Sequence, residues 1–69
     1  MAPTRRAFHI TLEGEVGPAT REAFADVDVR VAHGNTFLSA PLVDQAALQA
    51  VLERVQALGL LLVEMHVGD

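Results

Sequence analysis

Two imidazoles and a carboxylate make a ligand set for a borderline divalent cation, and His9, Glu64 and His66 supply one if the first and last strands lie side by side. Glu13 would add a fourth donor if the register brings it near. No HxH or HExxH spacing forces these residues together, so the competing reading is ordinary polar residues on a solvated strand face. His33 falls at a hairpin mouth, where a turn histidine with a local hydrogen bond fits better than a ligand. Asp26 and Asp28 are two apart on one strand face, the arrangement of a general acid and base pair. Arg30 follows on that face and neutralises them, which leaves a solvated charged surface.

Other chemistries are excluded by what is missing. The chain has neither lysine nor cysteine. Phosphate loops and Schiff bases lose their lysine, and thiolate nucleophiles, thiolate metal sites and disulfides lose their cysteine. Thr11, Thr20, Thr36 and Ser39 stand in no nucleophile motif such as GxSxG. A net charge of −4 with five scattered arginines opposes phosphate neutralisation, so no nucleic-acid partner is expected. Phe37 occupies a strand position where RNA-recognition motifs place a stacking ring, but a second aromatic and basic loops are lacking. No apolar run approaches the roughly 20 residues that span a bilayer. Arg5 and Arg6 precede alternation and not a signal core, so no membrane association is expected and a cytoplasmic location is. These absences favour a non-enzymatic protein without a cofactor.

The elements that would carry these residues are well marked. The clearest is a helix after Val43. Asp44 can cap its free amides, and Val43 and Leu48 stand where a hydrophobic staple would form. Leu48, Val51, Leu52, Val55 and Leu58 form one apolar stripe, while Gly59 can adopt a left-handed ending with Leu60 folding toward Val55. Phe8 to Glu15 alternates as a half-buried strand, with Phe8, Ile10 and Leu12 inward. Gly14 and Gly17 break it, and Pro18 opens a short helix to about Ala25 with Phe24 as core anchor. Val27, Val29 and Val31 mark a second strand. A turn at His33-Gly34-Asn35-Thr36 then leads into a third strand, Thr36 to Ala40, ended by Pro41. A two-residue loop at Gly34 and Asn35 would set Val31 against Leu38, and a three-residue loop would set it against Phe37. The last strand runs from Leu60 to Val67, with Leu60, Leu62, Glu64 and His66 on one side and Leu61, Val63, Met65 and Val67 on the other.

Sixty-nine residues make a single domain, 1–69, with a solvated tail at 1–6 and a folded core at 7–67. The order βαββαβ predicts an α+β fold, a ferredoxin-like plait with a four-stranded antiparallel sheet in the order 4-1-3-2. Its short first helix and long second helix would lie on one face. A β-β-β-α-β sheet without the first helix is the alternative. The plait resembles a trimmed ACT-type regulatory domain, which implies a small-molecule sensor binding a ligand near Gly14 to Pro18.

The strings Phe8-His-Ile-Thr-Leu-Glu-Gly14, Gly34-Asn-Thr-Phe-Leu-Ser-Ala-Pro-Leu-Val-Asp-Gln-Ala-Ala-Leu48 and Leu58-Gly-Leu-Leu-Leu-Val63 resemble a family of short bacterial proteins of unknown function. That resemblance implies a fold and no activity. One sheet face would stay bare, with Ala32, Phe37, Leu60 and Leu62 upon it. A chain of this size buries only about 60% of its unfolded surface. A homo-oligomer, most simply a dimer, formed through that face or an edge strand is therefore expected, serving as an interaction or regulatory module.

Overall fold

The computed structural model describes residues 6–68. Most of the expected tail, and Asp69 at the other end, lie outside the described residues. The elements are β1 (Ala7–Glu13), α1 (Pro18–Ala23), β2 (Asp28–Ala32), β3 (Asn35–Pro41), α2 (Gln45–Ala57) and β4 (Leu62–Gly68). All four strands join one antiparallel sheet in the order β2-β3-β1-β4, which read from its other edge is β4-β1-β3-β2. The fold is α+β, with an open sheet and two helices.

Alternation in β1 decides which face is covered. Phe8, Ile10 and Leu12 are buried and meet Leu38 of β3, Val51 and Val55 of α2, and Phe24 in one core. The short helix α1 contributes Phe24 at its C-terminal cap and no buried residue of its own.

The helix α2 is bounded by local chemistry. An Asp44 side-chain oxygen accepts the Ala47 amide at 2.8 Å, satisfying a first-turn donor. At the other end Gly59 has φ 69°, and the Gly59 and Leu60 amides donate back to the Gln56 and Val55 carbonyls. That is a Schellman ending, and it requires a residue that tolerates positive φ. The staple does not form, because Val43 is 79% exposed. Leu42 instead packs on the core and donates its amide to the Arg6 carbonyl.

The hairpin differs from both expected registers. Its turn residues are His33 and Gly34, with φ of 55° and 79°, and Asn35 already belongs to β3. Positive φ at both central residues closes a two-residue turn whose twist matches its strands. Val31 therefore faces Thr36, and Phe37 faces Arg30.

In β4 the register shifts between Thr11 and Leu12, so that Thr11 opposes Glu64 while Leu12 opposes Leu62. Val63 is the extra residue of a bulge, and the face alternation expected for Leu60 to Val67 breaks there.

Candidate functional site

The uncovered face collects the polar alternates of all four strands. His9 and Thr11 from β1, Phe37 and Ser39 from β3, Asp28 and Arg30 from β2, and Glu64 and His66 from β4 line one shallow trough. Cross-strand pairing sets their neighbours: His9 opposes His66 and Ser39, and Thr11 opposes Glu64 and Phe37. The trough is thus mostly polar, and Phe37, 38% exposed, is the exposed large apolar side chain among its lining residues.

The two histidines meet. Their rings stack with centroids 4.8 Å apart and planes inclined by 22°. The Glu64 carboxylate lies 3.8 Å from His66 Nδ1, and Glu64 stands two residues along β4, opposite Thr11 and not His9. Stacked imidazoles hold their in-plane lone pairs side by side and not toward a common point. Among the described residues no three His, Asp or Glu side chains form a ready-made metal cage. The trio His9, Glu64 and His66 is therefore gathered on one face without converging within a single chain. Glu13 cannot be the fourth donor, since it lies four residues along β1 from His9, about 13 Å at strand rise, and pairs with Asn35.

Of the expected interface residues, Phe37 and Ala32 lie on the bare face, Ala32 being the partner of Asn35. Leu60 and Leu62 do not. Leu60 precedes β4 and packs against the core from the helix side. Leu62 pairs with the inward-facing Leu12 and borders a surface with Gln49, Leu52 and Gln56 of α2. The bulge at Val63 accounts for the reversal, since one extra residue sends everything before it to the opposite face.

Asp26 also departs from expectation. It precedes β2, and Arg54 of α2 holds it with two bonds, at 2.7 and 2.9 Å, while also donating to the Ala23 carbonyl at 2.8 Å. The guanidinium hydrogen bonds keep the Asp26 carboxyl below its ordinary 3.8, and the carboxylate in turn raises Arg54. Arg54 also lies over the Phe24 ring, 5.3 Å from its centroid. Arg30 pairs with Asp28 alone, at 3.5 Å.

Around Gly14 to Pro18, where a sensor would bind its ligand, the backbone is occupied by the chain itself. Thr36, fully buried, donates its hydroxyl to the Gly14 carbonyl at 2.8 Å and accepts the Val16 amide at 3.1 Å. The Gly14 amide donates to the Gly34 carbonyl, and the Gly34 amide to the Glu15 carboxylate. The sequence places Thr36 at the turn and the start of a strand, with its hydroxyl in no motif. The signal was a polar residue at an inward position of β3, which demands internal partners.

The largest omission concerns β4. Leu61, Leu62, Val63 and Met65 are 40 to 59% exposed, and Leu58 at the end of α2 adds to them. A helix about 10 Å across cannot roof four strands spaced about 4.8 Å apart, and α1 is too short to help. An outer strand was bound to be left bare.

The backbone of β4 is also open on one side. Odd-numbered β1 residues aim their amides at β4, as the Glu13 bond to the Leu61 carbonyl shows, and even-numbered ones aim at β3, as Gly14 does. His66, opposite His9, therefore turns its N–H and C=O toward β1. By alternation Met65 and Val67 turn theirs to the free edge.

No helix among the described residues is long and apolar enough to cross a membrane. Neither curated proteins nor solved structures provide a match. A family model described as Domain of unknown function (DUF8691) covers residues 7–66, and the chain belongs to that family.

Proposed function

We propose that this protein is a small cytoplasmic, non-enzymatic interaction module with a ferredoxin-like plait, and that it assembles with a second copy of itself through β4. The observation that carries this reading is the β4 edge: a seven-residue outer strand bearing three exposed apolar side chains, with a fourth at Leu61 just before it, and Met65 and Val67 amides turned away from β1 with no partner among the described residues. Such an edge templates strand addition. Glu64 is the sole carboxylate in β4 and no arginine lies there, so little charge blocks a second strand.

A twofold axis through Met65 makes the edge complementary to itself. It pairs the outward-facing Met65 residues through their backbones and sets His66 of each copy against Glu64 of the other, acid beside imidazole. The bare face is the weaker candidate for the seam, because Phe37 stands there among charged and polar neighbours.

Sedimentation equilibrium tests the proposal. The expected mass is twice 7.4 kDa, with Met65→Lys reduced to monomer and Phe37→Asp still a dimer. A native chain that stays monomeric at high concentration refutes assembly, and a monomeric Phe37→Asp protein moves the seam to the bare face.

A further inference from the structure

We infer that the assembled protein binds a divalent first-row transition metal, with His9 and His66 of one copy as nitrogen donors and Glu64 of the other copy as the oxygen donor. This rests on the β4 seam proposed above. Within one chain the two imidazoles are already neighbours, 4.8 Å between centroids, on adjacent strands of the same face. Two donors hold a cation poorly against water, whereas protein zinc sites use three or four. The missing donor is what strand pairing supplies.

With the axis through Met65, the third strand in the row is the partner's β4. Opposite His66 then lies the partner subunit's Glu64, in a non-hydrogen-bonded pair, where side chains approach most closely. His9, His66 and the partner's Glu64 thus stand in line across three adjacent strands on the trough face. Rotation of the imidazoles out of their stack turns a nitrogen of each toward the cation. The His66 side chain is 60% and the Glu64 side chain 68% accessible, so these two swing freely, while the half-buried His9 needs only a turn of its ring on the trough face. Two nitrogens and a carboxylate oxygen suit zinc, cobalt or nickel better than magnesium or calcium. Symmetry gives two such sites per dimer, each with a remaining position for water.

Calorimetric titration of the untagged, EDTA-treated chain with zinc chloride tests this. The expected result is one zinc per chain, with at least tenfold weaker binding in His66→Ala and in Glu64→Gln. Refolding those two variants together discriminates between copies. A mixed dimer holds one intact site, formed by His9 and His66 of the Glu64→Gln chain and Glu64 of the His66→Ala chain, so tight binding returns at up to one zinc per mixed dimer. No zinc binding by the native chain, native binding by Glu64→Gln, or no recovery in the refolded mixture each overturns the inference.

Mass measured in EDTA separates this outcome from the assembly reading. A dimer in EDTA that ignores zinc refutes the metal site and leaves the seam standing. A chain that is monomeric in EDTA and dimeric with zinc supports the site and refutes metal-independent assembly.

Discussion

The two edges of this sheet are built on opposite principles. The β2 edge is short, five residues, and carries Asp28 and Arg30, which pair with each other at 3.5 Å. Its hairpin is tied inward by the Thr36 hydroxyl, the Gly34 amide and the Gly14 amide. The β4 edge is longer, has no side-chain tie of that kind among the described residues, and presents leucine, valine and methionine to water. Charge and brevity are the ordinary means by which a sheet refuses further strands. One end of this sheet refuses them and the other does not, so the assembly proposed above would close at a pair.

Removing the refusal is the strongest way to break that contrast. The double substitution Asp28→Val with Arg30→Val leaves both edges apolar and open, so association no longer closes after two chains. Light scattering is expected to show species far larger than a dimer that grow with concentration. A protein that remains a dimer shows that the charges on β2 are not what closes that edge.

The ties on the hairpin side can be cut separately. Thr36→Val preserves shape and strands the Val16 amide and the Gly14 carbonyl without a partner. Denaturant unfolding is expected to show a loss of about 1–3 kcal/mol, with dimer mass unchanged at concentrations where the chain is folded. A loss within error would mean that water replaces the hydroxyl.

The helix beneath both edges offers a smaller perturbation. Asp44→Ala removes the bond to the Ala47 amide and is expected to cost about 1 kcal/mol in the same assay. An unchanged midpoint would show that the first turn finds another acceptor.

The smallest effect belongs to the Arg54–Asp26 pair, whose side chains are 31% and 65% exposed and are therefore screened. The Asp26 carboxyl is depressed below 3.8 in the fold, so its contribution is complete above the unfolded value and fades as pH falls through the folded one. Arg54→Met is expected to lose less than about 1 kcal/mol at pH 7. The gap between variant and native protein should narrow below pH 4. A gap that widens in acid contradicts the sign of this coupling.

Much of this architecture was legible in the residues because it is local. Asp44 and Gly59 declare the ends of α2 by their own backbone and side-chain chemistry, and the alternation of Phe8, Ile10 and Leu12 names the covered face. What escaped depends on relations between distant segments. The hairpin register hinged on whether His33 would take positive φ, a conformation uncommon for a residue with a side chain. Leu60 and Leu62 read as bare-face residues because strict alternation hides a bulge that exists only against β1. The candidate site was half visible: His9 and His66 do face one another, but a sequence cannot show that their rings stack, or that Glu64 stands opposite Thr11. Arg54 read as a solvated helix residue, and its bonds to Asp26 and Ala23 span some thirty positions.

The extra residue at Val63 fixes the parity of the last strand. Were β4 to pair without the bulge, with Val63 opposite Leu12, Glu64 and His66 would stay where Thr11 and His9 hold them, while Leu62 would turn from beside α2 onto the polar trough and Leu61 toward the helix. One residue standing out of register thus separates a strand that keeps Leu62 beside its helix from one that lays it next to the histidines.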